Sequence, residues 1–219
     1  NDQVATDLRL FLRHQVDGLL AGIGDLCQAL VDQAAAHAAA PMPGYTHLQR
    51  AVPSSLGLWA GAFADGLADA AEAALGARAL CARCPLGAAA DYGVNLPLDR
   101  DGVARDLGFP AVADNPLASQ TSRGMTEVQV LTAAWSGLAV VRRFAWDVSL
   151  FTSAEFGFVT LDPELTTGSS IMPNKRNPDV IELLSGSASV VQGAIVETMS
   201  IVALPTGYHR DLQLTKAPL

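Results

Sequence analysis

Long stretches of this chain carry apolar residues at spacings of three and four, the pattern of one face of an α-helix. The first stretch runs from Val4 to Leu30 without a proline. At ~1.5 Å per residue it predicts a helix of roughly 40 Å, a length typical of helical bundles. The same spacing predicts two further long helices, from Leu56 to near Pro85 and from Val128 to Phe151. Pro178 and Asp179 suit the first turn of a helix and predict a fourth, from Pro178 to about Val202.

Glycine and proline separate these helices. Two prolines and a glycine in Pro41–Arg50 remove backbone donors and favour turns, so we expect a constrained loop there. Residues 85–119 are rich in Gly, Pro, Asn and Asp and predict a connecting region with a short helix over Asp101–Leu107. Pro205 and Gly207 end the last helix and lead into a polar tail. Since no strand alternation is sustained, the predicted fold class is all-α, a long-helix bundle.

The charge balance excludes two classes of partner. The chain has 22 acidic and 14 basic side chains and a net charge of −8, so it offers no cationic surface for nucleic acid or anionic lipid. Charged residues interrupt the long apolar patterns, and no stretch is expected to cross a membrane. An anionic substrate must therefore be held by a few Lys or Arg side chains at specific positions.

The chain has an odd number of cysteines, which are Cys27, Cys81 and Cys84. No signal peptide precedes them, so a disulfide framework is not expected and a cytoplasmic location is predicted. Zinc needs about four ligands, and neither a second cysteine pair nor a nearby histidine accompanies Cys81 and Cys84. No metal site is predicted.

The segment Gly168–Pro178 is the most specific feature of the sequence. It places two hydroxyls, Lys175 and Asn177 directly before a predicted helix N-terminus. Backbone N–H groups at a helix start, a lysine charge and an amide can together hold a carboxylate and the extra negative charge of a deprotonated carbon beside it. On composition alone, a mobile glycine loop with incidental polar residues explains the segment equally well.

A resemblance separates these two interpretations. Gly168–Pro178, with Glu182 downstream, resembles the signature of the fumarase, aspartase and argininosuccinate lyase superfamily. Asn1–Arg9, Pro43–Ala51 and Tyr208–Lys216 resemble the argininosuccinate lyase family specifically. The resemblance covers essentially the whole chain and implies an anti β-elimination that releases fumarate from a substituted succinate.

The resemblance also implies catalytic roles. Ser169 matches the family's catalytic base, and Lys175 would favour its alkoxide and pair with the substrate carboxylate. Asn177 would donate to the developing charge. His47 would protonate the leaving nitrogen, because imidazole carries and releases a proton near neutral pH. Glu182 matches the carboxylate that orients this imidazole. Without the resemblance, a lone histidine in a loop is more often a surface or capping residue.

Six residues match the family's substrate contacts, although ordinary polarity would explain each of them on its own. They are Asn1, Thr46, Arg123, Tyr208, Gln213 and Lys216. No single α-helical face holds the last three.

The chain departs from the family pattern around Arg123. Acidic residues usually lie near this arginine, whereas this chain has Ala118, Ser122 and Gly124 at those places, and Asp91–Gly93 replaces a smaller, neutral triplet. The reaction type is therefore better supported than the identity of the leaving amine.

The resemblance further implies a homotetramer with composite active sites, argininosuccinate as the small-molecule substrate, and no cofactor. It also implies that residues 1–219 are the central helical-bundle portion of a lyase, incomplete at both ends and inactive alone. Two alternatives stay open: a related lyase that releases a different amine from a substituted succinate, and an inactive crystallin-like structural homologue. The intact set of Ser169, His47, Lys175 and Asn177 argues against the second.

Overall fold

The computed structural model describes residues 1–203 and 210–219. Within them the chain is mainly helical, which confirms the all-α prediction. The α-helices are α1 (Asp2–Ala36), α2 (Leu56–Leu80), α3 (Arg100–Asp106), α4 (Pro116–Thr121), α5 (Met125–Phe151) and α6 (Asp179–Val202). Two 3-10 helices occupy Pro163–Leu165 and Arg210–Lys216.

The four predicted long helices are present as α1, α2, α5 and α6. α1 is longer than predicted, and the short helix predicted over Asp101–Leu107 is present as α3. α4 was not predicted, because it lies inside the stretch assigned to a connecting region. Its start is explained locally: the Asn115 side chain accepts hydrogen bonds from the N–H groups of Leu117 and Ala118, and Pro116 fits the first turn. The expected helix breakers Pro205 and Gly207 lie outside the described residues.

Short strand pairs connect the helices. They are β1 (Pro41–Thr46) with β2 (Gln49–Ser55), β3 (Arg83–Cys84) with β4 (Ala111–Val112), and β5 (Thr167–Gly168) with β6 (Arg176–Asn177).

The β1–β2 pair is an antiparallel hairpin, so the constrained loop expected over Pro41–Arg50 is in fact one strand and the start of a second, joined by a tight turn. Pro43 lies opposite Pro53, and a bulge follows at Gly44. Proline is tolerated here because each strand of a two-stranded sheet is an edge strand with one unpaired side.

The chain divides into two compact units. Unit 1 contains residues 1–22, 71–134 and 191–219, and unit 2 contains residues 23–70 and 135–190. Each of α1, α2, α5 and α6 contributes residues to both units.

In unit 1, one apolar cluster joins α1, α2 and α5. The residues from α2 and the turn after it are small, which lets the helices approach closely. The buried members are Leu8, Leu12, Val16, Ala74, Ala77, Cys81, Val130 and Ala133. A second cluster of Cys84, Ala104 and Phe109 packs the connecting region.

In unit 2, aromatic rings join α2 to α5. Trp59 lies 5.4 Å from both Phe63 and Phe144, measured between ring centroids, and its indole N–H donates to Asp147 at 2.9 Å. The indole therefore buries its apolar body and satisfies its one polar group. Ile181 of α6 packs on the same cluster.

α6 is relevant to the expectation that no stretch crosses a membrane. By length and composition alone it is apolar enough to cross a membrane, and little of it is buried within this chain. Its exposed apolar side chains include Leu183, Val190, Val196 and Met199.

Candidate active site

The segment around Ser169 is a closed hairpin in unit 2. β5 and β6 pair Thr167 with Asn177 and Gly168 with Arg176. Across the loop, the N–H of Lys175 donates to the carbonyl of Met172 at 3.1 Å. The polar residues of Gly168–Pro178 therefore lie on one short loop that the pairing of β5 with β6 closes.

The hydroxyl oxygen of Ser169 faces two backbone donors. It accepts hydrogen bonds from the N–H of Ile171 at 3.3 Å and from the N–H of Met172 at 3.2 Å. Paired N–H groups aimed at one oxygen favour negative charge on it. The two N–H groups could therefore stabilise a negative charge on the Ser169 oxygen.

The other loop residues lie close to Ser169 in sequence and differ in exposure. Lys175 is exposed and Asn177 is half-buried. Pro178 leads into α6, and its carbonyl accepts from the N–H of Glu182 at 3.0 Å. Glu182 is exposed in the first turn of α6, where a negative charge suits the helix dipole.

His47 lies at the tip of the β1–β2 hairpin, also in unit 2. Thr46 pairs with Gln49, which leaves His47 and Leu48 as a two-residue turn with φ values of 55° and 57°. Two consecutive left-handed residues are required by the turn type that best matches strand twist, although they are unusual outside glycine and asparagine. The imidazole and Thr46 are both exposed.

The hairpin is anchored by Tyr45. Its ring packs on Phe156 and Phe158, at centroid distances of 5.4 and 6.1 Å. A cavity of about 430 Å³ beside His47 is lined by this tyrosine and by Trp59. Among the described residues, no hydrogen bond joins the imidazole of His47 to Ser169 or Glu182, and the roles of these residues stay predictions.

Asn1 lies at the start of α1 in unit 1. Its side-chain amide donates to the carbonyl of Ala90 at 3.3 Å. The carboxylate of Asp2 accepts from the N–H groups of Gly87 and Ala89, at 2.8 and 2.9 Å. These bonds hold the beginning of α1 against the loop that follows β3.

Arg123 is buried in unit 1, at 4% exposure. One guanidinium N–H group donates to the carbonyl of Leu212 at 3.1 Å, and Nε lies 3.8 Å from the carboxylate of Glu127. Nε and Nη1 make no hydrogen bond among the described residues. The carboxylate partner that the sequence lacks directly beside Arg123 is thus supplied four positions later by Glu127, a residue that was not predicted to belong to the site.

Gln213 and Lys216 lie on the 3-10 helix Arg210–Lys216. Side chains three positions apart eclipse one another in a 3-10 helix, so these two residues share one face. Lys216 lines a cavity of about 350 Å³ together with Asp7 and Phe11 of α1. Tyr208, the remaining predicted substrate contact, lies outside the described residues.

The departures from the family pattern have local structural settings. The Ser122 hydroxyl accepts from the guanidinium of Arg9 at 3.2 Å. Gly124 has φ = 83°, and a Cβ at this position would lie 1.7 Å from Cγ1 of Val202. Only glycine fits at position 124.

Cys81 and Cys84 belong to the two buried apolar clusters of unit 1. Cys81 and Cys84 are buried free thiols, and burial raises the pKa of Cys81 to about 11. A thiol with a raised pKa is a poor nucleophile and metal ligand. Within residues 1–203 and 210–219, no group of histidine, cysteine and carboxylate side chains has the arrangement of a metal site.

Comparison with known proteins connects these features to one family. A family model described as lyase matches residues 1–193. The chain is 62% identical over 218 residues to argininosuccinate lyase of Sorangium cellulosum (strain So ce56), and the match covers 100% of this chain and 51% of that protein. It is 48% identical over 219 residues to argininosuccinate lyase of Xylella fastidiosa (strain 9a5c), covering 100% of this chain and 49% of the relative.

Solved structures show the same fold. A crystal structure of EDDS lyase in complex with formate matches with a TM-score of 0.93 and 29% identity, over 96% of this chain and 42% of that chain. The present chain therefore spans about half the length of the curated relatives that it matches.

Proposed function

This chain belongs to the lyase family, and on that premise we propose that the full-length protein cleaves argininosuccinate to L-arginine and fumarate by anti β-elimination. The observation that carries the proposal is the Ser169 hydroxyl oxygen, which faces two backbone N–H groups in a closed loop. The 62% identity to an argininosuccinate lyase supports the choice of substrate.

In the proposed reaction, Ser169 removes a proton from the carbon next to the one that carries the leaving nitrogen. The N–H groups of Ile171 and Met172 hold the negative charge of the serine before that transfer. Lys175 and Asn177 stabilise the carbanion in its aci-carboxylate form. The C–N bond then breaks, His47 gives a proton to the departing nitrogen, and Glu182 orients the imidazole. The proton that Ser169 has gained then passes through solvent to His47, which restores both groups for the next turnover. No cofactor takes part, since protein groups handle both protons and the charge.

We assign substrate binding to Asn1, Thr46, Arg123, Tyr208, Gln213 and Lys216. Arg123 would hold a carboxylate through Nη1, which makes no hydrogen bond among the described residues.

We also propose a homotetramer in which His47, Asn1 and Ser169 of one active site come from different subunits. The exposed apolar side chains of α6 support association with further copies, because an interface would remove their apolar surface from water. Residues 1–219 would be the central helical-bundle portion of that enzyme, inactive when isolated as a monomer.

The reaction would make the protein an enzyme of arginine biosynthesis. We place it in the cytoplasm, because Cys27, Cys81 and Cys84 are all free thiols, as expected in a reducing compartment.

The direct test uses the full-length protein with argininosuccinate, monitored by the ultraviolet absorbance of fumarate. We expect fumarate and arginine in equal amounts. Absence of fumarate, combined with turnover of another aminosuccinate, would exclude the argininosuccinate assignment and keep the lyase chemistry. Absence of turnover with every aminosuccinate would favour an inactive, crystallin-like role.

A second candidate function is a lyase that releases a different amine from a substituted succinate. Two observations favour it: the match to EDDS lyase at a TM-score of 0.93, and the neutral residues at Ala118, Ser122 and Gly124. Competition between argininosuccinate and other N-substituted aspartates, measured as kcat/KM, separates the two candidates.

A further inference from the structure

The 3-10 helix Arg210–Lys216 has one buried face. Leu212 is 2% exposed and Thr215 is fully buried. Gln213 and Lys216 follow these residues by one position each and lie together on the adjacent face. Whatever holds Leu212 and Thr215 in place therefore also fixes the direction of Gln213 and Lys216.

Thr215 is held by a carboxylate on α5. Its hydroxyl lies 3.0 Å from Oε1 of Glu127 and 2.9 Å from the carbonyl oxygen of Leu212. A hydroxyl has one proton, and the charged carboxylate is the stronger acceptor of the two. The bond between Thr215 and Glu127 thus links the 3-10 helix to a long helix far away in sequence.

Glu127 is itself fixed from the other side. It is 1% exposed, and its second oxygen, Oε2, accepts from the N–H of Gly124 at 2.8 Å. Arg123 lies beside it and donates to the carbonyl of Leu212. Both carboxylate oxygens of Glu127 accept hydrogen bonds, so the side chain has little freedom to move.

Gly124 lets the 3-10 helix approach this closely. Its positive φ and lack of a side chain admit Val202, and a Cβ there would lie 3.3 Å from Cγ2 of Thr215. Gly124 and Glu127 thus both allow the Arg210–Lys216 helix to pack against the start of α5.

We propose that Glu127 and Thr215 are positioning residues that fix the Arg210–Lys216 helix so that Gln213 and Lys216 meet the substrate. The inference rests on the proposed function, since that function assigns Gln213 and Lys216 to substrate binding. Neither Glu127 nor Thr215 needs to touch the substrate.

The experiment compares three variants of the full-length protein. Thr215→Val removes the hydroxyl at nearly constant volume, and Thr215→Ser keeps it. Thr198→Val is the matched control, because Thr198 is equally buried but its hydroxyl donates to the carbonyl of Ala194 in its own helix, at 2.9 Å. Thr215→Ala replaces Thr215→Val if the valine variant does not fold.

Two readouts decide the outcome. In Thr215→Val we expect amide hydrogen exchange over residues 212–216 to accelerate about tenfold and KM for argininosuccinate to rise about tenfold, with a smaller change in kcat. Thr215→Ser and Thr198→Val should resemble the wild type in both readouts. Unchanged exchange or unchanged KM in Thr215→Val, or an equal change in Thr198→Val, overturns the positioning role.

Failure of the proposed function gives a different pattern. If the wild type does not cleave argininosuccinate, hydrogen exchange still decides whether Thr215 fixes the helix. If the wild type is inactive and amide hydrogen exchange is faster in Thr215→Val, argininosuccinate is rejected as the substrate, but Thr215 still fixes the Arg210–Lys216 helix. An inactive wild type with unchanged exchange would reject both.

Discussion

The hydroxyl of Thr167 donates to the carboxylate of Asp179 at 2.6 Å, and this bond ties the strand before the Ser169 loop to the first turn of α6. The donor lies on β5 and the acceptor on the helix that follows β6. The bond therefore adds a side-chain link to the two-residue backbone pairing at the base of the loop.

Thr167→Val should loosen the loop without removing a reacting group. We expect kcat to fall about tenfold because Ser169 loses its fixed placement, and stability to fall by about 1 kcal/mol. Thr166→Val is the control, since the Thr166 hydroxyl donates locally to the carbonyl of Pro163 at 2.9 Å. Steady-state kinetics and thermal unfolding of the full-length variants measure both effects, and an equal loss of kcat in Thr166→Val would contradict the link.

Ser169→Ala should remove the proposed base. A positioned general base contributes on the order of 10²–10⁴ in rate, and kcat should fall by that factor with the melting temperature nearly unchanged. Ser149→Ala serves as the comparison, because the Ser149 hydroxyl donates to the carbonyl of Ala145 in its own helix, at 2.9 Å. Unchanged turnover in Ser169→Ala would refute the assigned role.

Glu127→Gln should be strongly destabilising. The amide replaces one acceptor oxygen by an NH₂ group and leaves the buried charge of Arg123 without its partner, which costs about 3–5 kcal/mol. Asp17→Asn breaks an exposed pair in which Asp17 accepts from Arg78 at 2.5 Å, and should cost less than about 1 kcal/mol. Urea unfolding of both variants gives the comparison. Equal losses would show that Glu127 is not a buried partner.

Cys81 predicts a loss of stability at alkaline pH. Burial raises the pKa of its thiol to about 11, above the ordinary value of 9.0 that the unfolded chain would show. Above pH 9.0 the unfolded chain loses this proton first, so the free energy of unfolding should fall as the pH rises towards about 11. In Cys81→Ala this part of the pH dependence should be absent.

Val130→Ala is the matched control for Cys81, because Val130 belongs to the same apolar cluster and carries no titrating group. Its stability should be lower at every pH, with the alkaline decline of the wild type retained. Urea unfolding on both sides of pH 9.0 measures the slopes, and identical slopes in Cys81→Ala and the wild type would contradict the prediction.

The helices were predictable from sequence because one periodic apolar face decides them. Val4–Leu30 lies wholly within α1, and the predicted end near Val202 matches that of α6. The β1–β2 hairpin was not predictable in the same way. Its strands contain three prolines and form a two-stranded sheet, so the alternation that marks a half-buried strand is missing.

The site was predictable only in part. The Ser169 loop stands out through residue types that handle anions, whereas Glu127 lies in an apolar helical pattern where a single carboxylate looks like a solvated residue. Its burial follows from the approach of Thr215, a long-range contact that no local pattern contains, whereas Arg123 lies only four positions away. The sequence pattern also did not predict the 3-10 helix that places Gln213 and Lys216 on one face.

His47→Asn tests the proposed proton donor without disturbing the hairpin. Position 47 has a left-handed backbone, and asparagine adopts this conformation more readily than most residues. The fold of β1 and β2 should therefore persist while kcat falls by about 10²-fold, since the amide cannot protonate the leaving nitrogen. His37→Asn, at an exposed position after α1, should leave turnover unchanged. Added imidazole should restore part of the activity of His47→Asn, whereas full activity in that variant would assign proton donation to another group.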